Sequence, residues 1–313
     1  MRPSRGIHRL AVATAASTFV LLFVGGLVTS TGSALAVPDW PLSFGQVFPP
    51  MVGGVLFEHG HRLVATLVGC LTLVLALWIA IAEPRPAVRA SGLVALFAVV
   101  LQGVLGGVTV LYRLPLAVSV THACLAQTFF CLTVALAIVT GPGWTSPPTA
   151  VRPDERPIAL LAGATTAAVF AQLVLGALMR HLGAGLAIPD FPLAFGRVLP
   201  PLVTPLVTVH FAHRIGAVIV ALSVATTVAR AARSPRAELR RPALVAAALV
   251  VVQVALGASI IWTRRAVVPT TSHVALGAAL LATCFALTLR AVRLGVRRSA
   301  EPVPIGFRRE VPA

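Results

Sequence analysis

Apolar runs long enough to cross a bilayer recur along the chain, near residues 10–30, 54–82, 91–111, 116–140, 158–179, 204–229, 242–262 and 267–290. A helix needs about 20 such residues to span a hydrocarbon core of roughly 30 Å. Polar, Pro-rich stretches separate the runs, among them EPRPAVRAS, GPGWTSPPTAVRPDERP and RSPRAELRRP. The pattern predicts eight transmembrane helices and an all-α integral membrane protein. The first run follows Arg2, Arg5 and Arg9, as a signal peptide would. It is nevertheless long enough to span and lacks a persuasive small-residue cleavage site, so it reads as the first span.

The pattern occurs twice. VPDWPLSFGQVFPP at 37–50 returns as IPDFPLAFGRVLPP at 188–201, and nine of the thirteen positions from Pro38 to Pro50 are identical at an offset of 151. The same offset carries LQGVLGG (101–107) onto VQVALGA (252–258) and VTHACLA (120–126) onto TSHVALG (271–277). EHGHRLVA (58–65) maps onto HFAHRIGA (210–217) at 152. Two tandem four-helix bundles follow. Four is even, so the halves share orientation and are related by a pseudo-two-fold axis along the membrane normal. The expected organisation is an N-terminal half at 1–145, a cytoplasmic linker at 146–157, a C-terminal half at 158–292 and a disordered basic tail at 293–313.

Composition agrees. Of 313 residues 58% are hydrophobic and only 11% charged, with a mean hydropathy of +0.93, against about 25% charged in a soluble domain. A net charge of +16 would suggest nucleic acid in a soluble protein. Here the basic residues, all of them Arg, sit in short loops, so no nucleic-acid partner is expected. With the N-terminus inside, the inner segments carry 18 Arg and the outer loops 5. That bias places both termini in the cytoplasm of a bacterial cell membrane. The cysteines, Cys70, Cys124, Cys131 and Cys284, lie inside apolar runs without metal-ligand spacing, and read as small buried hydrophobes.

The chemistry starts at FEHGHR, residues 57–62. Ionisable groups in a span line pockets, pathways or cofactor sites. His61, His122, His213 and His273 each fall a few residues into an even-numbered span, at depths of roughly 9–14 Å from the outer end. The duplication relates His61 to His213 and His122 to His273. Two imidazoles on neighbouring helices at one level suit the axial positions of a haem iron between helices of a four-helix bundle. Small residues nearby, Gly60, Gly69, Ala123, Gly216 and Gly277, would leave room for the ring, and equally allow close helix packing. Zinc would want Cys or a closed His cluster; copper would want nearby Met. A His–Glu proton relay remains the alternative.

Glu58 is three residues from His61 and shares its helix face; its repeat partner is His210, which shares a face with His213. Only one half thus has an acid beside its histidine, and that half suits proton-transfer chemistry. Arg62 and Arg214 follow their histidines directly and are candidate partners for haem propionates or snorkelling cations. His59 points away from His61, and His181 reads as a surface residue. The first loop of each half, with Trp40, Phe44 and Phe48 in the first, is too apolar for a solvated connection and reads as a rigid cap or a lid.

These features together resemble the haem A synthase family: eight spans, the two-fold repeat, Glu58-x-x-His61-Arg62, His213-Arg214, and single histidines at 122 and 273. The resemblance runs from about 8 to 292. It implies oxidation of the C8 methyl of haem O to the formyl of haem A, by successive hydroxylation to a gem-diol that loses water. It implies substrate haem between His61 and His122, a haem b cofactor between His213 and His273, and Glu58 as the essential acid. Expected partners are haem O synthase, cytochrome oxidase assembly factors, a membrane electron donor, and a second copy of the chain. Many members carry a cysteine pair in an outer loop; here 31–52 and 180–203 contain no Cys. Rival readings are a bis-His cytochrome that only shuttles electrons and a transporter with broken midplane helices.

Overall fold

The computed structural model describes residues 5–145 and 156–296. The expected linker, apart from its last two residues, and all of the tail beyond Val296 lie outside these. Helices α1 (Arg5–Ser30), α2 (Gly54–Ala82), α3 (Pro86–Leu111), α4 (Leu116–Thr140), a single turn α5 (Pro142–Thr145), α6 (Arg156–His181), α7 (Pro205–Ala231), α8 (Ala237–Trp262) and α9 (Val267–Val296) follow in order. Eight are long and apolar enough to cross a membrane. The eight expected spans are all present, with shifted ends. α3 starts at Pro86 rather than 91, and α9 continues through the 293–296 stretch placed in the tail. α8 starts at Ala237 rather than 242 and keeps Pro242 inside it. Pro242 has no N–H for the carbonyl four residues back; that carbonyl, of Glu238, accepts from Arg290 Nη1 of α9 at 3.3 Å.

α1 packs against α2 and α4, and α3 against α2 and α4; α6 packs against α7 and α9, and α8 against α7 and α9. Between these groups α1 meets α9, and α4 meets both α6 and α9. α9 therefore has neighbours on most sides, and half of its most apolar stretch is buried. Phe130 of α4 packs on Ala278 and Ala282 of α9, with Phe19 and Leu22 of α1 alongside. Small residues on α9 let the helices approach closely, which is how apolar spans associate in lipid. Buried hydroxyls are satisfied locally: Thr72 donates to the Val68 carbonyl at 2.7 Å and Thr140 to that of Leu136 at 2.7 Å. Others cross between helices, as Thr165 with Thr227 at 2.8 Å.

The repeat extends to irregular backbone. α3 ends through Arg113 and Leu114, and α8 through Arg264 and Arg265, all at positive φ. The second of each pair returns its amide to a carbonyl five residues back, Leu114 to Thr109 at 2.7 Å and Arg265 to Ile260 at 2.8 Å. Such left-handed residues cost about 1–2 kcal/mol each without glycine, so the bonds they allow hold the turn. Both long loops also contain a cis peptide, Trp40–Pro41 and Phe191–Pro192.

Candidate functional site

The first long loop is fastened to the start of α2. Asp39 accepts from the amides of Phe44 (2.7 Å) and Gly45 (2.8 Å). Asp190 does the same with Phe195 (2.7 Å) and Gly196 (2.8 Å). These amides hold both carboxyls below the usual carboxylate range, that of Gly45 contributing most for Asp39 and that of Gly196 for Asp190. Phe44, Gly45, Phe195 and Gly196 all have positive φ, so each aspartate closes a turn that the backbone alone disfavours.

Arg62 is the centre of this fastening. Nη1 donates to the Asp39 (2.8 Å) and Leu42 (2.7 Å) carbonyls and to Ser43 Oγ (3.2 Å). Nη2 pairs with Glu58 Oε1 at 2.8 Å and reaches the Val37 carbonyl at 3.4 Å. Arg214 repeats the pattern on Leu193 (2.8 Å), Asp190 (2.6 Å) and Ile188 (3.4 Å), with its guanidinium 5.7 Å from the Phe191 ring centre. Glu58 is buried, and its Oε2 accepts from the Val37 amide at 2.9 Å. His210, also buried, accepts the Ile188 amide on Nδ1 at 3.2 Å. His59 does turn away from His61, to bond Ser43 Oγ at 2.8 Å. His181, expected at the surface, is the half-buried last residue of α6.

One turn further in stand the four histidines, all half-buried. The rings of His213 on α7 and His273 on α9 have centres 6.5 Å apart at 68° to one another. His61 on α2 and His122 on α4 occupy the corresponding positions of the first half. Each imidazole Cε1 faces a glycine on an adjacent helix. A Cβ on Gly25 would lie 3.1 Å from that of His61, on Gly106 3.2 Å from His122, on Gly176 3.1 Å from His213 and on Gly257 3.5 Å from His273. Gln102 donates to the His122 carbonyl at 2.9 Å, Gln253 to that of His273 at 2.8 Å and Gln172 to that of His213 at 2.8 Å. Nδ1 of His61, His122 and His273 is enclosed and unpaired.

These glycines and glutamines belong to no motif of their own. Their signal was the repeat itself: Gly25 with Gly176, Gly106 with Gly257 and Gln102 with Gln253 stand at the offset of 151. Gln172 has no such partner, since Leu21 occupies its place.

What can such a site hold? Among the described residues no three His, Cys, Asp or Glu side chains gather in metal-holding geometry. Pairs of imidazoles supply two ligands only, so the remaining donors must arrive with the metal, as they do in a tetrapyrrole. A metal–imidazole bond of about 2 Å on each side, with about 1 Å from nitrogen to ring centre, separates ring centres by roughly 6 Å. The His213–His273 separation fits.

Fold and site together define a polytopic membrane protein with paired histidines between its helices. The sequence profile of the cytochrome oxidase assembly protein family (COX15-CtaA) matches residues 53–285, and the chain belongs to that family. It is 34% identical to a protein named haem A synthase from Symbiobacterium thermophilum, over 81% of this chain and 85% of the relative. Haem A synthases from Shouchella clausii (30% identical, 70% of this chain and 73% of the relative) and Geobacillus kaustophilus (29%, 83% of each) match as well.

Proposed function

We propose that this protein is a haem A synthase, oxidising the C8 methyl of haem O to the formyl of haem A. The observation that carries the reading is the His213–His273 pair at 6.5 Å, in a chain whose repeat sets His61 and His122 at the corresponding positions. The N-terminal half takes haem O as substrate through His61 and His122. The C-terminal half takes a haem b through His213 and His273, and that group supplies electron transfer when bound.

The helix neighbours support two four-helix bundles, α1–α4 and α6–α9, within residues 5–145 and 158–292. Exchanging α1 with α6 and α4 with α9 turns the α1–α9 contact into α4–α6 and leaves α4–α9 unchanged. That is the pattern of a pseudo-two-fold axis along the membrane normal. The Arg distribution supports cytoplasmic termini, with the histidines toward the periplasmic side.

This chain's own residues then divide the work. The imidazoles set the level and tilt of the rings, and the glycines facing them leave space for that orientation. Glu58, on the face of α2 that carries His61 and paired with Arg62, supplies the proton-transfer carboxylate of the substrate half, where the other half has His210. Arg62 and Arg214 act as anchors of the 37–43 and 188–193 segments, whose carbonyls they hold. His210 is the anchor corresponding to Glu58. Haem O synthase, cytochrome oxidase assembly factors and a membrane electron donor are partners of the kind this chemistry requires.

The test is to supply the membrane-reconstituted protein with haem O and a reductant, and to analyse the extracted pigments by mass. A formyl-bearing product is expected. Unchanged haem O with both irons six-coordinate would identify an electron-shuttling cytochrome instead.

A further inference from the structure

We propose that Arg180, with Arg265 beside it, receives the carboxylate groups of the tetrapyrrole held by His213 and His273; this rests on the haem reading above. Haem propionates are anions, and at membrane depth an anion needs a cation. The arginines next to the histidines are already occupied, Arg62 by four groups of the first loop and Glu58, Arg214 by three carbonyls of the second. Arg180 stands in the last turn of α6, at the same end of the molecule, and is half-buried. The Gly26 that it binds packs against Thr271, two residues before His273. Nη2 donates to the Gly26 carbonyl at 3.2 Å and Ser30 Oγ at 3.0 Å, which fixes the guanidinium against α1. Nη1 and Nε have no bond to a described residue.

Among the described residues no acid faces this pair. Arg265 reaches the turn that follows α6, where a Cβ on Gly185 would lie 4.0 Å from its Cδ, and two guanidiniums at one end of α6 repel unless an anion joins them. Every described acid is engaged or remote. Asp39 and Asp190 close their turns, Glu58 and Glu83 pair with Arg62 and Arg85, and Glu238 stands in the first turn of α8, at its far end. A hydroxyl is unclaimed too. Thr271, two residues before His273, is 1% exposed with Oγ1 unpaired, and packs on Gly26, where a Cβ would lie 3.3 Å from its methyl. Neither arginine belongs to the shared plan of the halves: Thr29 and Leu114 occupy the corresponding positions. The pair is an addition to the half that holds the cofactor. A planar guanidinium with free donors suits a carboxylate, which it can grip with two parallel bonds.

The experiment compares haem b with its dimethyl ester, titrated into the full chain in nanodiscs and followed by Soret absorbance. His61→Ala is introduced so that the second half dominates the signal. The free acid is expected to bind on the order of tenfold more tightly than the ester, with the preference abolished in Arg180→Gln, which retains a donor for Gly26. Equal affinity of the two forms before Arg180 is changed, or full preference in Arg180→Gln, overturns the proposal. Should the Gln variant not fold, Arg180→Lys decides, because a point charge cannot make the bidentate grip. A preference reduced severalfold supports the proposal, and an unchanged one overturns it. If neither form shifts the Soret band from that of free haem to that of a bis-imidazole complex, the haem reading itself fails, and the proposal with it.

Discussion

Glu58 and His210 do the same structural work 152 residues apart. Glu58 Oε2 accepts the Val37 amide at 2.9 Å, and His210 Nδ1 accepts the Ile188 amide at 3.2 Å. Each latches the first turn of its long loop onto a helix one turn above a paired histidine. The latch is therefore common to both halves, and what is special to Glu58 is its carboxylate. Glu58→His transplants the second half's solution into the first. It is expected to keep the loop closed and both haem sites filled while oxidation of haem O falls by on the order of a hundredfold or more, the range of a lost proton-transfer group. Mass analysis of pigments beside a Soret titration reads both. Normal turnover in Glu58→His would remove the carboxylate from the chemistry.

Much of this was legible in the sequence because the bilayer makes hard demands. Spanning length marked all eight helices, and imidazoles at His61, His122, His213 and His273 stood out against apolar runs. Helix ends were less legible. Pro242 reads as a breaker, yet α8 starts five residues earlier, because Arg290 takes over the carbonyl that proline abandons. The roles of Arg62 and Arg214 were not legible either. Adjacency to a histidine gives an angle on the helix, but the acceptors are carbonyls about 20 residues away, brought back by a turn that Asp39 or Asp190 closes. The glycines against the imidazoles were hidden for another reason: a helical glycine in a membrane has many possible partners, and only the fold shows which one it meets.

Those glycines give a graded prediction. Added methyls at Gly25, Gly106 and Gly176 would sit 3.1, 3.2 and 3.1 Å from an imidazole carbon, closer than ordinary contact, whereas at Gly257 the distance is 3.5 Å. Gly25→Ala and Gly106→Ala should tilt the first-half rings, and Gly176→Ala that of His213, weakening haem binding severalfold in the affected half. Gly257→Ala should leave binding unchanged and add up to about 1 kcal/mol of helix stability. Equal effects at all four positions would show that the contacts do not orient the rings. Soret titration and thermal unfolding in nanodiscs separate the two.

The loops carry a pH dependence whose sign follows from Asp39 and Asp190. Both carboxyls are held below their usual value of 3.8, chiefly by the Gly45 and Gly196 amides. A group whose folded pKa is lowered stabilises the fold above its unfolded pKa, and the contribution is lost as pH falls through the folded value. The turns at Phe44–Gly45 and Phe195–Gly196 are expected to stay protected from amide exchange from neutral pH down to about 4, and to open below it. Asp39→Ala should expose the Gly45 amide at every pH and leave the Gly196 amide as it was. Protection relative to a free amide that is independent of pH across the acid range, in the unsubstituted chain, would mean the aspartates do not close these turns.

The last prediction concerns how the first loop seats on α3. Trp40 lies directly on Gly107: a Cβ there would fall 2.6, 2.8 and 2.9 Å from three indole carbons. In the second half the matching residues are Phe191 and Ala258, and Phe191 sits edge-on to Trp262 with ring centres 6.1 Å apart. The repeat thus pairs a larger ring with glycine and a smaller ring with alanine in the sequence. Gly107→Ala alone should therefore unseat Trp40, speed proteolysis of the 37–50 segment and slow turnover, since a fixed rigid ring cannot yield by a few tenths of an ångström. Trp40→Phe in the same chain should restore both. The two changes are coupled, so a double-mutant cycle on loop protection should give an interaction of about 0.5–3 kcal/mol. Additive effects, with Trp40→Phe giving no rescue, would show that Trp40 does not hold the loop through Gly107.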